Sequence, residues 1–180
     1  MLQITVQYDE MWDEEKQVFV TPKETKLQLE HSLVSISKWE SKWQKAFLGK
    51  QPKTLAETID YIKCMTLTQN VDPAVYLHLT RDQIKTIKAY IDSPMSATRI
   101  SEGPKSSHNG ETVTSELIYY WMTALNIPFE CQKWHLNRLL TLIRICSIKS
   151  QPPKKRSKAD IMRQNHALNE ARKARLHTSG

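Results

Sequence analysis

The apolar segment from Trp121 to Arg144 constrains the fold of this chain most, because dense apolar patterning lies on both sides of Ile127-Pro128. Apolar residues recur there with helical spacing, before the proline at Val113, Leu117, Trp121, Ala124 and Leu125, and after it at Leu136, Leu139, Leu140, Ile143 and Cys146. The residue before a proline disfavours the α region, so the first helix should end by Ile127. We therefore expect an αα-hairpin over residues 113–148 as the core of the protein.

Patterns elsewhere predict the remaining elements. Residues 2–7 (LQITVQ) and 25–30 (TKLQLE) alternate apolar and polar residues, which is typical of half-buried strands. Helices are expected after the N-caps Ser32, Thr54 and either Thr80 or Asp82, and the first of them should reach about Phe47.

The fold class that follows is mainly α, within the α+β class. We expect a small antiparallel β element over residues 1–30, a helical bundle over residues 31–150, and a basic C-terminal helix within residues 151–180. Ser157 is the expected N-cap of that last helix, which should run from Lys158 to about Leu176.

Composition indicates an ordinary globular chain. The 180 residues are 39% hydrophobic and 25% charged, which is enough to bury a sizeable core. No apolar stretch is long enough to predict a membrane span, and the N-terminal residues do not have the pattern of a signal peptide. The three cysteines, Cys64, Cys131 and Cys146, are interpreted as reduced core thiols of a cytosolic protein.

Positive charge is concentrated at the C-terminus. Residues 151–180 carry eight Lys or Arg against two acidic residues, a net charge of +6, whereas residues 1–150 carry 18 against 17. Basic clusters of this kind bind nucleic acid or anionic surfaces. Docking on an acidic protein surface, self-association and a merely solvated tail are the alternatives.

Two kinds of residue are candidates for partner binding. Trp39 and Trp43 lie one turn apart in the helix after Ser32, where they form either part of the core or an exposed ridge. The basic candidates all lie in the C-terminal segment: Lys154, Lys155, Arg156, Lys158, Arg163, Arg172, Lys173 and Arg175.

The sequence offers little that points to catalysis. It has no Gly-rich phosphate loop and no hydrolase or metalloprotease motif, so we expect no enzyme activity, no cofactor and no metal site. Cys131 and His135 have the spacing of neighbours on one helix face but lack the further ligands of a zinc site. Glu57 and Asp60 are interpreted as surface charges.

Residues 93–112 are rich in serine and chain breakers, and they are expected to form a surface loop, with a lid or partner-binding loop as alternatives.

Three segments carry a resemblance. Residues 27–43 (LQLEHSLVSISKWESKW), 116–145 (ELIYYWMTALNIPFECQKWHLNRLLTLIRI) and 158–180 (KADIMRQNHALNEARKARLHTSG) resemble a family of small proteins of the tail-morphogenesis module of tailed bacteriophages. The resemblance extends over nearly the whole chain and is weakest at 93–112.

The resemblance implies the role of a tail assembly chaperone, a non-enzymatic factor that keeps the tape measure protein soluble while tail tube subunits polymerise around it. The implied partners are the tape measure or tail tube protein, and the implied location is the host cytoplasm. The alternatives are a structural component of the tail or neck, which would be part of the virion, and a nucleic-acid-binding protein that uses the basic helix.

Overall fold

A computed structural model describes residues 1–8, 11–13, 18–20, 23–98, 112–150 and 157–176. The N-terminal part is β structure, as predicted. The strands are β1 (Leu2–Tyr8), β2 (Met11–Asp13), β3 (Val18–Val20) and β4 (Lys23–Leu29). β1 pairs antiparallel with β4, from Leu2 opposite Leu29 to Tyr8 opposite Lys23, and β2 pairs antiparallel with β3. Alternation places Val6, Leu27 and Leu29 in the core.

Helices make up most of the remaining described chain, which confirms the mainly α class with a small β element. The α-helices are α1 (Leu33–Trp43), α2 (Leu55–Met65), α3 (Arg81–Asp92), α4 (Ser115–Ala124), α5 (Leu136–Ser150) and α6 (Lys158–Leu176); short 3-10 helices span Pro73–His78 and Phe129–Lys133. Ser32, Thr54 and Thr80 each form a capping box, so Thr80 rather than Asp82 is the cap of α3.

Helix α1 ends at Trp43, one turn earlier than predicted. Gln44 adopts a left-handed conformation with φ of 51°, and its N–H donates to the Glu40 carbonyl at 2.7 Å. The Glu40 carboxylate then accepts the Phe47 N–H at 2.7 Å, which turns the chain back towards the helix. Phe47 is therefore buried, but from the loop that follows the helix.

The predicted αα-hairpin is wrong as the organising core. Helix α4 ends in a Schellman motif, in which left-handed Asn126 precedes Ile127 and the Ile127 N–H donates to the Met122 carbonyl at 2.8 Å. The 3-10 helix Phe129–Lys133 then separates α4 from α5. The helix that α4 packs against most extensively is α1, which also contacts α2 and this 3-10 helix. Helix α1 is therefore the central helix.

The chain divides into two compact units, Met1–Ser147 and Ile148–Gly180. The first contains the β hairpin and the core, whose fully buried side chains include Leu33, Ile36 and Trp39 of α1. The second contains α6, none of whose residues is buried. Among the described residues, no helix combines the length and the apolar character that crossing a membrane requires.

Candidate functional site

The two tryptophans of α1 lie against α2 and do not form an exposed ridge. Trp39 is 1% exposed, and its Nε1–H donates to the Glu57 carbonyl at 2.9 Å. Trp43 is partly buried, and its Nε1–H donates to Asp60 Oδ2 at 2.9 Å. The rings stack with centroids 6.3 Å apart. Of the two alternatives for Trp39, the structure agrees with the core position and not with partner binding, because its indole is enclosed. Only Trp43 retains an accessible edge.

The acidic residues of α2 stabilise this contact. The Glu57 side chain is 2% exposed, accepts the Thr54 N–H at 2.7 Å and pairs with Lys45 Nζ at 2.6 Å. The bond from Lys45, followed by that from Thr54, lowers the pKa of Glu57. Its interpretation as a surface charge was therefore wrong, because the capping box of α2 holds this carboxylate at the packed interface with α1.

Asp60 is held in the same way one turn later in α2. Burial opposes its ionised form, but hydrogen bonds from Lys42 and Trp43 outweigh that effect and lower its pKa. Both α2 carboxylates are thus ionised acceptors held by donors of α1 and the loop after it. That arrangement supports helix packing and leaves neither group positioned as a proton donor.

A buried polar cluster connects the start of α1 with α2, α3 and α5. His31, which is 2% exposed, places Nδ1 2.5 Å from Tyr61 Oη, and its ring centroid lies 5.0 Å from that of His135. The carbonyl of His31 accepts the Leu136 N–H at 2.7 Å. No sequence pattern indicated this cluster, because its members are distant along the chain.

The hydrogen bonds of His135 define its protonation. Its Nε2 lies 3.0 Å from the Tyr90 carbonyl, which only accepts, so Nε2 carries the hydrogen. Its Nδ1 is then free of hydrogen and accepts the Asn137 N–H at 3.3 Å. Burial lowers the pKa of His135 and lowers that of His31 to about 3. Both rings are therefore neutral near pH 7, and they join elements rather than exchange protons with solvent.

The Cys131 and His135 pair does not lie on one helix face. Cys131 is buried in the 3-10 helix Phe129–Lys133, and His135 precedes α5. Both ring nitrogens of His135 are occupied by hydrogen bonds within the fold. Across the part of the chain that the structure describes, no three His, Cys, Asp or Glu side chains come together as a metal site.

An open groove lies between the loop after α1 and the residues of α4 and α5. Its volume is about 880 Å³, and its lining includes Leu48, Lys50, Trp121 and Leu140. The lining combines apolar side chains, among them Leu48, which is 41% exposed, with basic ones such as Lys50. Sequence patterns did not indicate this groove, because its lining comes from separate segments. Residues 99–111, for which a surface loop, a lid or a partner-binding loop was expected, lie outside the described residues.

The basic candidates of α6 are all exposed. This helix begins at a capped end, where Ser157 Oγ accepts the Asp160 N–H at 3.1 Å and donates to Asp160 Oδ2 at 2.8 Å. Lys158, Arg163, Arg172, Lys173 and Arg175 are each exposed. Lys154, Lys155 and Arg156 lie outside the described residues. Helix α6 thus exposes every basic candidate that lies within the described residues.

Comparisons of the chain with protein-family models, with curated proteins and with solved structures find no match.

Proposed function

We propose that this protein is a non-enzymatic bacteriophage tail assembly factor, a chaperone that binds the tape measure protein or tail subunits through protein–protein contacts. The resemblance of residues 27–43, 116–145 and 158–180 to phage tail-morphogenesis proteins supports this proposal. The observation that carries it is the exposure of α6, a helix of 19 residues with no buried side chain.

The physical reason lies in how helices are stabilised. Most helices in proteins depend on packing of an apolar face, and propensity alone makes an isolated helix of this length marginal in water. Helix α6 is rich in good helix formers, including Ala167, Ala171 and Ala174, but exposes Ile161, Met162 and Leu168 by 44%, 74% and 50%. A partner that covers these side chains would provide the packing that α6 lacks within its own chain.

The test is an affinity pull-down of the full chain from infected cells, together with mass spectrometry of purified virions. A chaperone acts in the host cytoplasm, so we expect the tape measure or tail tube protein in the pull-down and no copies of this protein in the particle. Stoichiometric presence in the particle would refute the chaperone role and assign the protein to the tail or neck structure.

A second candidate function is nucleic-acid binding, which the exposed Lys and Arg side chains of α6 favour. Phosphate binding by such side chains weakens steeply with added salt. However, the described part of α6 contains no Phe, Tyr or Trp on which bases could stack. Fluorescence anisotropy with a labelled duplex decides between the two: submicromolar, strongly salt-dependent affinity would favour nucleic acid, and its absence would favour a protein partner.

A further inference from the structure

The charges of α6 are arranged unevenly around the helix. Two ion pairs join residues three apart, Arg163 Nη2 to Asp160 Oδ1 at 3.4 Å and Lys173 Nζ to Glu170 Oε1 at 3.9 Å. These pairs offset both acidic residues of the helix. Among the described residues, Arg172 and Arg175 have no carboxylate within ion-pair distance. Within the described residues, uncompensated positive charge therefore lies around these arginines in the last two turns, and on Lys158 in the first turn.

The same arginines share a face with the aliphatic side chains of α6. At about 3.6 residues per turn, Ile161, Leu168, Arg172 and Arg175 fall within roughly a quarter of the helix circumference. We call this the Ile161 face. Glu170 and Arg163 project from nearly the opposite side of the helix, and Lys173 lies about a third of the circumference away from Ile161. The Ile161 face therefore combines exposed aliphatic surface with unpaired positive charge and contains no acidic residue.

We infer that the Ile161 face binds an amphipathic helix whose apolar stripe is flanked by acidic side chains. The seven-residue spacing of Ile161 and Leu168 matches the repeat by which two helices pack along one seam. Arg172 and Arg175 then meet carboxylates beside the partner's stripe, which fixes orientation and suppresses basic partners. This inference rests on the proposed function, because it specifies the chemistry of the segment that the chaperone recognises.

Charge complementarity favours this occupant over nucleic acid and over a second copy of α6. A nucleic-acid backbone would gain from every exposed Lys and Arg of α6, and Ile161 and Leu168 would contribute little to such binding. A second α6 would place Arg172 and Arg175 close to the same arginines of its partner or to its other basic residues, which is unfavourable. An acidic amphipathic helix would contact both the exposed aliphatic side chains and the unpaired arginines of the Ile161 face.

The experiment measures binding of the full chain to a fluorescent synthetic peptide of four heptads, with leucine at a and d and glutamate at e and g. A second peptide carries lysine at e and g instead. We expect the acidic peptide to bind and the basic peptide not to bind. Arg172→Gln combined with Arg175→Gln should raise the Kd about tenfold, which corresponds to about 1.4 kcal/mol. Ile161→Gln combined with Leu168→Gln should weaken binding at least as much.

The matched control is Arg163→Gln combined with Lys173→Gln, which removes the same number of positive charges from the other side of α6. We expect its Kd to change by no more than about twofold. Circular dichroism of each full-length variant monitors helix content. Equal weakening by the two charge variants would overturn the inference, because it would indicate diffuse attraction.

Three further results would also overturn it. The first is failure of the wild-type chain to bind the acidic peptide. The second is binding of a DNA duplex that is tighter than binding of the acidic peptide and persists in the Ile161→Gln, Leu168→Gln variant. The third is concentration-dependent dimerisation that the same variant abolishes. Failure of the inference is distinguishable from failure of the proposed function. If the full chain still recovers tail proteins from infected cells while the peptide does not bind, the chaperone role stands and another surface carries it.

Discussion

Glu40 holds together two segments that are far apart in sequence, and its replacement by glutamine tests how the helical body is assembled. The side chain is 7% exposed, and its two oxygens accept the Phe47 N–H and the Ser115 N–H, each at 2.7 Å. Ser115 is the first residue of α4, whose amide has no acceptor within the helix. One carboxylate of α1 therefore fixes both the loop after α1 and the start of α4.

Glu40→Gln preserves the size of the side chain but leaves one oxygen for two amides. One amide then faces an NH₂ donor, and the other makes a neutral bond instead of a charged one. Hydrogen bonds to charged groups contribute about 1.5–3 kcal/mol each, and an unsatisfied buried amide costs about 1–3 kcal/mol. We therefore expect the free energy of unfolding to fall by about 2–4 kcal/mol, which lowers the urea midpoint by about 1–2 M.

The assay is urea unfolding followed by tryptophan fluorescence, since the chain has five tryptophans. The control is Glu24→Gln, which alters an exposed carboxylate on β4. If the free energies of unfolding of Glu40→Gln and Glu24→Gln differed by less than about 0.5 kcal/mol, the two hydrogen bonds to the Glu40 carboxylate would contribute nothing to stability. Hydrogen exchange supplies a second measurement, because the Phe47 and Ser115 amides should lose protection before their neighbours do.

Three further predictions concern α1 and the residues on either side of it. Trp39→Ala should destabilise the protein by about 3–5 kcal/mol and Trp43→Ala by clearly less, and equal urea midpoints would contradict the burial of Trp39. Because the pKa of His31 is lowered to about 3 in the folded state from 6.5, stability should decrease as pH falls from 6.5 towards 3, by up to about 1.4 kcal/mol per pH unit. His31→Gln should flatten that slope between pH 6.5 and 5, and an unchanged slope would assign it to other groups. Gln44→Gly should raise stability by about 0.5–1 kcal/mol, seen as a higher Tm, because glycine adopts the left-handed φ of 51° without strain; a lower Tm would show that the Gln44 side chain itself stabilises the loop.

The elements that sequence predicted well are those specified by neighbouring residues. Ser32, Thr54 and Thr80 were predicted as caps, or among the possible caps, because Ser and Thr favour that position. In the structure the residue three positions later supplies the reciprocal contact in each case. Alternation of apolar residues predicted β1 and β4 as strands, whereas their pairing with each other emerged from the structure. Helix α6 was predicted to within a residue, since its cap and alanines are local signals.

What the sequence did not reveal depends on contacts between distant segments. The end of α1 is determined partly by the Glu40 carboxylate, which accepts from the Ser115 amide 75 positions away. The close approach of the His31 and His135 rings likewise requires α5 to pack beside the residues that precede α1. The predicted apolar stripe of α4 also differs from the face that the structure buries, which consists of Ser115, Ile118 and Met122. Periodicity does not show which helix covers a face, so the prediction of a hairpin was plausible from spacing and wrong in packing.

The difference between the two units supports the assignment of function to α6. Within the described residues, every buried side-chain nitrogen and oxygen has a hydrogen-bond partner, so groups such as Glu40, Glu57 and His135 are occupied in maintaining the fold. Helix α6 has the opposite character, because its aliphatic side chains are exposed and Arg172 and Arg175 have no acidic partner in the described chain. These exposed aliphatic side chains and unpaired arginines are the groups that a binding partner would cover. In the proposed function α6 is the recognition helix, and the charge on the Ile161 face predicts which segments that helix binds.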